Sequence, residues 1–244
     1  MSISVDHKRA GALQKLIVAL DFSSADEARR IVSALHGEVG LFKIGLELIY
    51  ADGLSLTRLM LDSGARIFLD AKLLDIPNTV ERATASAVNL GASFLTVHGT
   101  DRKTLDAAVR GRGNSATKLL AVTVLTSLDE ADLAEQGIAA SAEEMVIRRA
   151  AMARDAGFDG VIASAREARA LREAIGPDFL IVTPGIRPQG ASSDDQKRVV
   201  TLADAIAAGV DYLVIGRLIT AASDPRAAAN VIIGEIEAAL PGQA

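Results

Sequence analysis

The chain of 244 residues has no cysteine and no tryptophan, and only 3% of it is aromatic. The lack of cysteine excludes disulfide staples and thiolate chemistry and leaves the redox compartment open. Basic residues are also in deficit, 26 Lys and Arg against 31 Asp and Glu for a formal charge of -5. A nucleic-acid surface needs a basic patch and stacking rings, so that class is disfavoured. No apolar run reaches membrane-spanning length, and the opening "MSISVDHKRAGALQK" lacks an apolar core of signal-peptide size. A soluble cytoplasmic protein is expected. What the chain has in plenty is apolar residues, half of the total, with 23% charged. That is ample for a core, in one large domain or two small ones.

Short β-rich runs alternate with longer helical patterns along the whole sequence. The runs are "LIVALDF" (16–22), "GLFKIG" (40–45), "RIFLDAKL" (66–73), "SFLTVHG" (93–99), "KLLAVTVL" (118–125), "DGVIAS" (159–164), "FLIVTPGI" (179–186) and "YLVIGR" (212–217). Ser23 or Ser24 can cap the first helix of the pattern, which carries acidic residues in its first turn. Several helices stop at a glycine just before the next strand, as in "NLGASFL", "DAGFDGVI" and "AAGVDYLV". No linker or composition shift divides the repeats. An α/β protein made of a single (β/α)8 TIM barrel is expected, residues 1–15 forming an N-terminal extension, with an open doubly wound sheet as the competing architecture.

In a barrel, functional groups gather at the C-terminal ends of the strands. Polar residues interrupt the apolar runs at those ends: Asp21, Lys43, Asp70 with Lys72, His98, Thr126 with Ser127, Arg187, and Gly216 with Arg217. Side chains alternate across a strand, so Asp70 and Lys72 share one face while Ala71 takes the other. Asp75 breaks that parity, in a loop where Pro77 enters a helix. An isolated Asp-x-Lys at a strand end is ordinarily a self-neutralising ion pair. Here a second lysine, Lys43, lies on the preceding strand, and an alternating chain of buried charges is costly unless its members satisfy one another. Such a chain points to function. His98 reads as a buried hydrogen-bonding support, and neither His7 nor His36 is given a role.

The combination of "ALDF", "FKIG", "DAKLLDIPNTV", "VTVLTSL", "TPGIR" followed by "DDQKR", and "VIGR" resembles the orotidine 5'-phosphate decarboxylase family, from about residue 16 to residue 225. The Asp-x-Lys-x-x-Asp core is shared with sugar-phosphate enzymes of the same barrel superfamily. Its continuation "IPNTV", with Arg187 and Gln196 before "VIGR", is specific to the orotidylate branch.

The resemblance implies a metal- and cofactor-independent conversion of orotidine 5'-phosphate to UMP by a homodimer with shared active sites. By that resemblance Lys72 donates the proton to C6, Asp70 faces the substrate carboxylate, and Lys43 holds Asp70 and reaches the ribose, to which Asp21 also bonds. Asp75 and Thr79 come from the partner subunit. Thr126 and Ser127 meet the pyrimidine edge, and Pro184 also belongs to the substrate site. Arg187, Arg217 and the Gly216 amide bind the phosphate, while Gln196 bridges base and phosphate from a lid, "RPQGASSDDQKR". The alternatives are a sugar-phosphate decarboxylase like the 3-keto-gulonate 6-phosphate enzyme, which uses magnesium, and a phosphate-ligand binding protein on a degenerate barrel. Lys43 and Gln196 weigh against the first, and the unbroken Lys/Asp chain against the second.

Overall fold

The computed structural model describes residues 2–186 and 200–241, with side chains from residue 8 onward. Arg187, Gln196 and the rest of the expected lid therefore lie outside the described residues. Eight parallel strands pair in sequence order, and the last closes onto the first. They are β1 (Leu16–Ala19), β2 (Leu41–Gly45), β3 (Arg66–Leu73), β4 (Phe94–His98), β5 (Lys118–Val122), β6 (Gly160–Ile162), β7 (Leu180–Pro184) and β8 (Tyr212–Ile215). The sheet has no free edge, which rules out the open doubly wound alternative.

The intervening helices cover the barrel. They are α1 (Ser2–Lys15), α2 (Ala25–Ala34), α3 (Leu46–Leu48), α4 (Leu54–Asp62), α5 (Pro77–Leu90), α6 (Arg102–Arg112), α7 (Glu130–Glu135), α8 (Ala142–Ala156), α9 (Ala168–Ile175), α10 (Leu202–Ala207), α11 (Arg217–Thr220) and α12 (Pro225–Ala239), with a kink between α3 and α4 where Ala51 and Asp52 leave helical geometry. Local chemistry sets many of their ends. The Ser24 hydroxyl accepts from the Glu27 amide at the start of α2, and Ser141 and Glu144 form a reciprocal capping box on α8. Gly91 and Gly157 end α5 and α8 with φ of 98° and 97°, a left-handed turn that glycine adopts without steric penalty. Before β1, Lys15 donates to the carbonyls of Val210 and Asp211, which ties α1 to the base of β8.

Both faces of the strands are buried, which explains their near-continuous apolar character. Outward-facing side chains pack under the helices in one large core. Inward-facing residues form a second, smaller core from Ile17, Leu41, Phe68, Phe94, Leu120, Val182 and Val214. Phe94 sits between Phe68, ring centroids 6.0 Å apart, and Tyr212, at 5.3 Å and edge-on. These rings plug the barrel. Two residues further along β2, β3 and β4, on the same inward face, stand Lys43, Asp70 and Thr96. The polar floor of the mouth thus rests directly on an apolar plug.

Candidate active site

A cavity of about 300 Å³ opens at the C-terminal mouth of the barrel. Its lining includes Asp21, Lys43, Asp70, Lys72, Thr126, Pro184, Gly216 and Arg217, supplied by strands and loops far apart in sequence. Asp75, Thr79 and Ser127 are exposed and stand outside that lining. The Asp75 carboxylate accepts a 2.6 Å hydrogen bond from the backbone amide of Ile76. Arg187 and Gln196 are outside the described residues.

The charged groups form one continuous chain. Lys43 Nζ lies 2.9 Å from Asp21 Oδ1 and 3.5 Å from Asp70 Oδ2, and Lys72 Nζ lies 2.6 Å from the same Asp70 oxygen. Lys43 and Asp70 are only 8% and 7% exposed, whereas Lys72 and Asp21 reach further into the mouth. Burial by itself raises the Asp70 carboxyl. The ammonium groups of Lys43 and Lys72, with hydrogen bonds from Lys72 and Thr96, outweigh burial and hold it below the ordinary carboxylate range. Asp70 is accordingly ionised at neutral pH, flanked by two cations.

Simple strand alternation does not deliver this geometry. The β3–β4 register runs Phe68 to Phe94 and Leu69 to Leu95, then resumes with Leu73 opposite Val97. Four residues on β3 span two on β4, so β3 bulges at the site. Lys72 has φ of 46°, in the left-handed region, which costs a non-glycine residue about 1–2 kcal/mol. Asp70 and Lys72 do share the mouth, but a kink in the backbone brings them there.

Two participants carried no charge and escaped the sequence reading. Thr96 is fully buried, accepts a 2.9 Å hydrogen bond from the Lys72 amide and donates a 2.9 Å bond to Asp70 Oδ1. Gly45 leaves room for the ion pair beside it: a β-carbon there would lie 2.8 Å from Lys43 Nζ and 3.0 Å from Asp21 Oδ1. The available signal was position, since each lies on an inward face level with or beyond an identified charge. His98 ends β4 half-buried, and burial first, then the positive charges of Lys72 and Arg149, push its imidazole below the ordinary histidine range. That favours the neutral form.

Among the described residues, no three His, Cys, Asp or Glu side chains are grouped as metal ligands. Likewise, no described helix is long and apolar enough to cross a membrane.

Residues 14–232 match the family described as "Orotidine 5'-phosphate decarboxylase / HUMPS family". The orotidine 5'-phosphate decarboxylase of Methylobacterium nodulans is 55% identical over 228 residues, covering 92% of this chain and 96% of that protein. The Bradyrhizobium sp. (strain BTAi1) protein of the same name is 50% identical, covering 93% of each chain. Among solved structures, orotidine 5'-phosphate decarboxylase from Lactobacillus acidophilus superposes with a TM-score of 0.80 at 39% identity, over 91% of this chain and 99% of that one. The chain belongs to the orotidine 5'-phosphate decarboxylase / HUMPS family.

Proposed function

We propose that this protein decarboxylates orotidine 5'-phosphate to UMP, the closing step of pyrimidine nucleotide synthesis, with Lys72 as the proton donor to C6. The observation that carries the reading is the Lys43–Asp70–Lys72 chain at the floor of a nucleotide-sized mouth, in a chain half identical to decarboxylases of that name. When the bond from C6 to the carboxylate carbon breaks, its electron pair remains on C6 in an sp2 orbital that the ring cannot delocalise. The Lys72 ammonium stabilises that charge more than the dispersed charge of the starting carboxylate, the difference in binding that lowers the barrier. A Lys72 proton then takes the place of CO2, and the amine recovers a proton from solvent.

Asp70 has a second effect. A substrate carboxylate placed about 4 Å from it is repelled by roughly 4 kcal/mol at an effective dielectric of 20, and departure of CO2 relieves that repulsion. Both Asp70 oxygens are already engaged, Oδ1 by Thr96 and Oδ2 by the lysines, so little is left to ligate a metal. That weighs against the magnesium-dependent sugar-phosphate chemistry of the superfamily. Asp21 and Lys43 are assigned to the ribose, Thr126, Ser127 and Pro184 to the base side, and Gly216, Arg217 and Arg187 to the phosphate, with Gln196 closing over the nucleotide.

The working form is assigned as a cytoplasmic homodimer. Leu46, Tyr50, Leu54, Leu59, Leu74 and Ile76 are large apolar side chains left exposed, Tyr50 at 87%. They cluster in sequence just after β2 and on either side of Asp75, as expected if these segments are covered by a second copy whose mouth receives Asp75 and Thr79. Adding orotidine 5'-phosphate to purified protein in buffer containing EDTA tests the activity directly. Loss of pyrimidine absorbance at the rate seen without EDTA supports it, and activity abolished by the chelator and restored by magnesium sinks it.

A further inference from the structure

The bulge in β3 frees backbone groups and places Lys72 at a φ of 46°, a left-handed conformation that costs a lysine about 1–2 kcal/mol. Were the ladder to continue from Leu69 opposite Leu95, Asp70 would face Thr96 and Lys72 would face His98. Instead the Lys72 amide has left the ladder and donates to the Thr96 hydroxyl, 2.9 Å away. The same hydroxyl has one proton, and it goes to Asp70 Oδ1 at 2.9 Å. Acceptance from one and donation to the other are both satisfied, with no capacity conflict. Thr96 is fully buried and absent from the cavity lining, so it meets no substrate.

We infer that Thr96 is a positioning residue for the decarboxylation: its one hydroxyl fixes the Lys72 backbone in the left-handed region and locks the Asp70 carboxylate so that Oδ2 faces both lysines. Among the described residues, Thr96 is the hydrogen-bond partner of both the Lys72 amide and Asp70 Oδ1. Asp70 Oδ2 is occupied by Lys72 Nζ at 2.6 Å and Lys43 Nζ at 3.5 Å. Without the hydroxyl the Lys72 amide is left unpaired, and the carboxylate, held at Oδ2 alone, can turn about its soft terminal torsion. Both changes displace the ammonium from C6 while leaving the ribose and phosphate contacts intact. The consequence belongs to the chemical step and spares ground-state binding.

This inference rests on Lys72 acting at C6, and the experiment separates the two. Thr96→Val keeps the volume and removes the hydroxyl; Thr96→Ser keeps the hydroxyl and loses a methyl group. Turnover is normalised to UMP-binding sites, so that partial unfolding does not count as lost catalysis. Thr96→Val is expected to lower kcat by about 10- to 100-fold, the range for a second layer of support. KM and UMP affinity should stay within about threefold of wild type, and Thr96→Ser should recover kcat to within about threefold. If Thr96→Val yields no folded protein, Thr96→Ala read in the same assay serves in its place. A kcat per binding site within twofold of wild type for the hydroxyl-free variant, or a serine variant as impaired as the valine one, overturns the role of Thr96. Retained turnover in Lys72→Ala, run alongside, overturns instead the assignment of Lys72.

Discussion

Replacing Lys43 by methionine removes a charge and keeps much of the volume of its stem. The ammonium lies 3.5 Å from Asp70 Oδ2, with both side chains about 10% exposed. At an effective dielectric of 20 that separation corresponds to about 5 kcal/mol of attraction, part of which desolvation of the two ions has already cancelled. The contact with Asp21, whose side chain is 54% exposed, adds little because solvent screens it. Asp70 keeps Lys72 at 2.6 Å and the Thr96 hydroxyl at 2.9 Å, so Lys43→Met is expected to destabilise the fold by about 1–3 kcal/mol, less than a buried charge left wholly unpaired would cost. Urea unfolding at neutral pH and one fixed protein concentration measures this, the fixed concentration keeping any contribution from the proposed dimer constant. A cycle with Asp70→Asn, whose amide oxygen can still accept from Thr96, isolates the pair. The coupling energy should be about 2–3 kcal/mol. A value below about 0.5 kcal/mol, typical of exposed pairs, would show that Lys43 and Asp70 do not support one another and refute the charge chain as a structural unit.

Three further outcomes are expected. Inactive Asp75→Asn and Lys72→Ala protomers, mixed and allowed to exchange subunits, should regain part of the wild-type activity through hybrid dimers with one intact mouth; no recovery after verified exchange places Asp75 in its own barrel. Arg217→Ala should lower kcat/KM sharply for orotidine 5'-phosphate and hardly at all for the substrate lacking the phosphate, whose wild-type turnover added phosphite should raise; equal losses on both substrates would make Arg217 a structural residue. His98 has a folded pKa below its ordinary value of 6.5, so the unfolded chain binds more protons and stability must fall as pH drops below about 6.5. His98→Asn should flatten the dependence of the urea midpoint on pH between 7 and 5, and an unchanged slope would assign the acid sensitivity to other groups.

The barrel was legible because the strands are apolar on both faces and several helices end at a glycine just before the next strand, so eight repeats could be read locally. The charged members of the mouth were legible for a related reason: an ion at the end of a buried run is conspicuous. Asp21, Lys43, Asp70, Lys72 and Arg217 were found in this way, and all line one cavity. What the sequence concealed was the bulge. Alternation placed Asp70 and Lys72 on one side of a regular strand; they do share the mouth, but through the left-handed φ at Lys72 and the register shift against β4, which depend on a partner strand some 25 residues away. Thr96 and Gly45 were missed for the same reason. A threonine in an apolar strand and a glycine at a strand end have ordinary local explanations, and their function emerges only when Asp70 and Lys43 are beside them.

The proposed chemistry stands on one cation of the chain itself, Lys72, which stabilises and protonates C6. The most direct measurement is single-turnover decarboxylation of orotidine 5'-phosphate by Lys72→Ala, in buffer with EDTA, beside wild type and with UMP binding measured on the same samples. The variant is expected to bind UMP while its chemical step falls by at least about a thousandfold, roughly 4 kcal/mol of transition-state stabilisation. A variant that binds UMP and still releases CO2 at a tenth or more of the wild-type rate would contradict it.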